Sequence, residues 1–178
     1  MIFMDGESMK KRNLGAILGI SVCLILLLAF TLKAREQPNR AERPILTVRT
    51  AFSPEKVTPG ETFELSLELT VASGFHINSQ KPEDELLVPT SVELKKDTAY
   101  EVKEIIFPEA KKKKFNFSDK PLSVYEGQVK IILRIELAEG VCGSSLELEG
   151  KIRYQACDQE ACLRPQTVPF KASVKIAS

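Results

Sequence analysis

The chain has 178 residues, with 25 Lys+Arg against 24 Asp+Glu and a formal net charge of +1. That length suits one ordinary domain with an appendage, and the charge balance offers no electrostatic case for nucleic acid. One histidine, no tryptophan and four cysteines leave little material for a His-rich metal site or a Ser-His-Asp triad.

Lys10, Lys11 and Arg12 precede an uncharged apolar run from Leu14 to Leu32. A run of that length spans a bilayer as a helix and exceeds the usual apolar region of a signal peptide. Lys33, Ala34 and Arg35 follow without a clean small-x-small cleavage site. The expectation is a short N-terminus over 1–13, a transmembrane anchor over 14–32 and a polar tether over 33–44. A cleaved export signal is the alternative. Cys23 is a poor lipoprotein site, because the apolar run continues well past it. Basic residues flank the segment on both sides, so charge alone does not orient it. The cysteine chemistry below places the body outside the cytoplasm.

The remaining body, 45–178, reads as β throughout. Phe63, Leu65, Leu67, Leu69 and Val71 alternate with polar residues, the period of a half-buried strand. The pattern returns through Val129–Leu137, through Leu146, Leu148, Ile152 and Tyr154, and through Val168–Ile176. Leu46–Phe52, Val92–Leu94 and Val102–Phe107 are weaker strands. Thr58-Pro59-Gly60-Glu61, Ser73-Gly74, Glu126-Gly127 and Glu139-Gly140 supply the turns. Seven or eight short strands, each with one polar face, predict an all-β, immunoglobulin-like antiparallel β-sandwich of two sheets.

Cys157-Asp158-Gln159-Glu160-Ala161-Cys162 interrupts this alternation between two strong strands. The cysteines therefore flank a hairpin loop, where opposed Cα atoms lie about 4.5–5.5 Å apart and a disulfide fits. So small a ring adds little stability, and an exposed hairpin tip suits thiol–disulfide exchange. A structural disulfide remains the competing reading. Zinc is disfavoured, since only His76 and Cys142 could complete a ligand set.

Beyond the pair, Gly74-Phe75-His76-Ile77-Asn78-Ser79-Gln80-Lys81-Pro82, Leu87-Val88-Pro89-Thr90, Phe115-Asn116-Phe117, Pro121–Gly127 and Tyr154-Gln155-Ala156-Cys157 follow one another in a recognisable order. In this succession, from about Phe52 to Ile176, the sequence resembles the N-terminal domains of the DsbD thiol:disulfide interchange family. The resemblance implies an immunoglobulin-like periplasmic domain without cofactor or metal. It also implies electron transfer between a thioredoxin-like protein or domain and periplasmic disulfide oxidoreductases, including factors of cytochrome c maturation. Cys157 and Cys162 would be the catalytic pair, with Cys162 forming the mixed disulfide and Cys157 resolving it. Phe117 would be the aromatic of a cap loop. Four residues separate the cysteines where some relatives have five. Larger members continue into membrane and thioredoxin-like domains, so the electrons are expected here from a separate protein.

His76, Asp158 and Glu160 are candidate modulators. An imidazolium near a cysteine favours thiolate, and carboxylates beside a thiol oppose it. Lys111–Lys114 and Glu83-Asp84-Glu85 read as solvated loops, and Cys142 as an incidental thiol. The two function classes are an exchange module at the inner membrane and a non-catalytic sandwich stapled by an inert disulfide.

Overall fold

The computed structural model describes residues 44–177. The expected membrane segment at 14–32, its tether and the N-terminus lie outside the described residues.

Among the described residues twelve strands run in chain order: β1 (Leu46–Ser53), β2 (Lys56–Val57), β3 (Thr62–Val71), β4 (His76–Asn78), β5 (Ser91–Leu94), β6 (Tyr100–Ile106), β7 (Lys111–Lys113), β8 (Leu122–Tyr125), β9 (Gln128–Leu137), β10 (Ser145–Tyr154), β11 (Ala156–Cys157) and β12 (Gln166–Ile176). They form three four-stranded sheets, ordered β1-β3-β9-β6, β2-β12-β10-β5 and β11-β4-β8-β7. The first two are the sandwich expected from the alternation. Every pairing is antiparallel except a short parallel one between β12 and β2. The architecture is all-β and consistent with an immunoglobulin-like fold.

Register follows from which side chains must leave water. Leu65 opposes Leu133, Leu67 opposes Ile131 and Leu69 opposes Val129 across β3 and β9. These residues join Leu148, Ile152, Tyr154, Phe170 and Val174 of the second sheet in one buried cluster. A one-residue slip would turn each set toward solvent, so the pairing is strongly specified. Each buried Leu or Ile contributes about 1.5–3 kcal/mol, whereas exposed ion pairs such as Arg134–Glu104 contribute about 0–1. The apolar layer, not the charged surface, holds the sandwich.

Gly150 fills the gap in the inward series Leu146, Leu148, Ile152, Tyr154. A Cβ there would stand 2.4 Å from Phe170 Cζ and 2.8 Å from the Glu93 carbonyl oxygen, so any side chain would force its neighbours to shift.

The third sheet corrects the two-sheet expectation. Its strands are two to four residues long, too short to show a period. Lys111–Lys113, read from sequence as a solvated loop, forms its edge strand β7 against Leu122–Val124. Lysines suit an exposed edge because their charge opposes pairing with another chain. Lys112 pairs with Glu83 and Lys113 with Glu126, so neither charge run is simply solvated. Gly127, at φ +66°, makes the tight turn that carries the chain from β8 in this sheet to β9 in the first.

Candidate functional site

The β10–β12 ladder ends at Tyr154 opposite Gln166, where the Tyr154 hydroxyl donates to Gln166 Oε1 at 2.8 Å. Beyond this end the chain makes an excursion, 155–165, that carries both cysteines. Ala156 and Cys157 leave the second sheet and pair with Ile77 and His76 of β4. Cys157 and Cys162 then oppose each other as an isolated antiparallel bridge, and their sulfurs are bonded at 2.03 Å. The Asp158 N–H donates to the Ala161 carbonyl at 3.0 Å, and the Leu163 N–H donates to the Ala156 carbonyl at 2.8 Å. Those two bonds flank the cysteines, so the pair occupies a non-hydrogen-bonded position, where facing residues approach most closely. Their Cα atoms are 3.9 Å apart, closer than the hairpin geometry led one to expect.

The loop between the cysteines is closed by Asp158. Its Oδ1 accepts from the Ala161 N–H at 2.9 Å and from the Glu160 N–H at 2.8 Å. These two bonds hold the Asp158 carboxyl below the ordinary carboxylate range, so it is charged at neutral pH. Glu160 Oε1 accepts from Asn116 Nδ2 at 3.3 Å, joining this loop to the segment after β7.

That segment carries two aromatic rings. Phe115 is buried and stacks on the His76 ring with centroids 3.9 Å apart. Phe117 stacks on Phe115 at 5.4 Å and is 37 % exposed. Phe115 also packs with Leu122, Val124 and Leu87 in a small cluster separate from the sandwich core. The sequence reading singled out Phe117 and passed over Phe115; the two occupy one stack. No local period marked Phe115, because a turn closed by the Ser118 N–H on the Phe115 carbonyl at 3.3 Å, not an extended strand, brings the two rings together.

His76 lies directly opposite Cys157, a placement the sequence alone did not give. It is 1 % exposed, and burial pushes its pKa down to about 4, with smaller effects from Glu126, Lys113 and Asp158. The ring is therefore neutral at pH 7, whereas the sequence argument for a modulating role used an imidazolium.

Gln155, part of the motif before Cys157 in the sequence, has a bracing role that the sequence did not assign. Its Oε1 accepts from the Val88 N–H at 2.9 Å and from Asn78 Nδ2 at 3.2 Å. Its Nε2 donates to the Leu163 carbonyl at 3.1 Å. One side chain thus ties β4, the 79–90 connection and the segment after Cys162 around the disulfide. Cys142 is an exposed free thiol, and lies just before the far end of β10, about 30 Å of strand from the Tyr154 end. It takes no part in the site.

The two cysteines differ in access. Cys157 is fully buried, while Cys162 is partly exposed. Leu163, Arg164 and Pro165 after it belong to no strand.

Residues 42–173 match the family model described as the thiol:disulfide interchange protein DsbD, N-terminal. The chain belongs to this family. A DsbD N-terminal domain of Neisseria meningitidis, solved in its reduced form, is 12 % identical with a TM-score of 0.46, over 74 % of this chain and 90 % of that one. The N-terminal periplasmic domain of ScsB from Proteus mirabilis is 16 % identical with a TM-score of 0.48, over 75 % of this chain and 47 % of that one. No curated protein sequence matches the chain. With its bonded cysteine pair and its membership of the DsbD N-terminal family, the protein is a thiol–disulfide exchange module and a component of thiol:disulfide interchange. The family assignment implies a periplasmic location for the soluble body.

Proposed function

We propose that the DsbD-type body passes electrons through the Cys157–Cys162 pair, with Cys162 as the sulfur that meets the partner. The observation that carries this reading is the difference in burial: Cys162 is partly exposed and Cys157 is not. On loading, a thiolate of the donor attacks Cys162 Sγ, the intramolecular S–S bond breaks, and Cys157 leaves as thiolate and takes a proton. The donor's second thiolate then attacks its own mixed disulfide, leaving as a disulfide and releasing Cys162. On unloading, Cys162 attacks the acceptor's disulfide, and Cys157 displaces the acceptor as a dithiol while the original bond re-forms.

The donor is a thioredoxin-like protein or domain, and the acceptors are periplasmic disulfide oxidoreductases. Residues 14–32 anchor the chain in the inner membrane, and 33–44 tether the body on its outer side. The stack of Phe115 and Phe117, joined to the cysteine loop through Asn116 and Glu160, serves as the cap over the pair. No bound cofactor enters the chemistry, because both electrons travel in the sulfur bonds.

Equilibration against glutathione buffers tests the reading. An exchanging pair has a reduction potential above about −300 mV. A pair that stays oxidised below that value is an inert staple, and the body is then a binding or scaffold sandwich.

A further inference from the structure

The cross-strand relation between Cys157 and His76 deepens the exchange reading, on which the following rests. The two residues are directly opposed in the β11–β4 pair, so their side chains share one face with Cβ atoms about 4.5–5.5 Å apart. Both are buried. Phe115 covers a face of the imidazole, so polar contact is possible only at the ring edge. On that edge Nε2 is buried and has no hydrogen-bond partner among the described residues.

A buried polar atom left unpaired costs about 1–3 kcal/mol, so its persistence on the residue opposite a reactive cysteine calls for a reason. In the oxidised pair, Cys157 Sγ carries no hydrogen and cannot serve Nε2. Reduction breaks the S–S bond and adds two electrons and two protons, supplied by a donor dithiol that becomes a disulfide. One of those protons resides on Cys157 Sγ, and a thiol is a donor, though a weak one.

We propose that His76 Nε2 accepts the Cys157 thiol proton in the reduced protein, so that the imidazole favours the dithiol and raises the reduction potential of the pair. The imidazole acts as a neutral acceptor, with its own proton on Nδ1. Burial keeps it neutral, and Glu126, Lys113 and Asp158 are the charged groups that act on it. His76 is thus a positioning residue: it never meets the partner and works only through Cys157. The effect is opposite to that of an imidazolium, since it stabilises thiol over thiolate at the resolving cysteine.

Potentials of the wild type, His76→Phe and His76→Gln in glutathione buffers test the proposal. Phe keeps a ring against Phe115 but offers no acceptor. The equilibrium should move roughly five- to tenfold toward the disulfide, or about 20–30 mV more negative. Gln restores an acceptor and should recover most of that shift. A His76→Phe potential equal to that of the wild type overturns the proposal while leaving exchange intact. A wild type that does not equilibrate at all removes the exchange reading itself, and the proposal with it. A measurement on the wild type alone guards against a variant that fails to fold. The ¹⁵N resonance of Nε2 should be that of an unprotonated nitrogen in both redox states, and should move in the hydrogen-bonded direction on reduction. A protonated Nε2, or one unmoved by reduction, overturns the assignment.

Discussion

Asn116 donates from the segment after β7 to Glu160, between the two cysteines, across 44 residues of sequence. It is a single exposed side-chain bond, worth about 0.5–1.5 kcal/mol at most, so it can break without unfolding anything around it. The tip of the cysteine loop and the aromatic segment are therefore joined weakly, while each is held firmly at its base: the loop by Asp158, the segment by Phe115 on His76.

Phe115→Ala and Phe117→Ala should separate packing from shielding. Phe115 is buried, and removing its ring should cost about 3–5 kcal/mol if the cluster cannot collapse. Phe117 is partly exposed, and its loss should cost under about 1 kcal/mol. Both variants should be reduced faster by dithiothreitol than the wild type. Urea titration and stopped-flow reduction provide the two readings; an unchanged rate in Phe117→Ala would show that its ring shields nothing.

Trapping distinguishes the two cysteines. Cys157→Ser should accumulate a covalent complex with a thioredoxin-like partner, seen on a non-reducing gel, because the resolving thiol is gone. Cys162→Ser should accumulate far less, since the remaining sulfur is buried. Equal trapping by both variants would contradict the division of labour.

Stability should fall as the medium is acidified from about pH 6.5 to pH 4. The His76 pKa drops from 6.5 to about 4 on folding, so the unfolded chain binds the extra proton in that interval. The stabilisation is fully present above the unfolded value and is lost as pH falls toward the folded one, on the order of 2–3 kcal/mol. His76 is the only histidine of the chain. Urea unfolding of His76→Phe should therefore lose most of the slope in the upper half of that window, and a slope that survives would assign it elsewhere.

Gly150→Ala should lower stability by about 1–3 kcal/mol, since the new methyl meets the Phe170 ring and a backbone carbonyl. The glutathione potential should not move, because Gly150 lies within the sandwich, away from the excursion. A variant as stable as the wild type in urea would mean that Phe170 has room to swing aside.

The sandwich was legible in sequence because its strands are long. Ten-residue runs such as Thr62–Val71 and Gln128–Leu137 repeat the two-residue period often enough to be unmistakable. The cysteine hairpin was legible for the same reason, as an interruption between two such runs. The site sheet was not, since its strands are two to four residues long and β4 finds its partners far along the chain, in β8 and β11. His76 illustrates the limit: nothing in Gly74-Phe75-His76-Ile77 announces that Cys157 will lie opposite. Its neutral state follows from burial by Phe115 and the short strands, which no local pattern encodes.

The cysteines sit on an excursion whose two ends are clamped where Tyr154 meets Gln166. Counting that clamp, ten consecutive residue pairs fix the register of β10 against β12, whatever happens above it. A residue gained or lost between Cys157 and Cys162 alters the loop that Asp158 closes and its bond to Asn116, and leaves that ladder untouched. The architecture thus separates what must stay constant from what is free to drift. Spacing between the cysteines can vary among relatives without a single core contact having to be renegotiated.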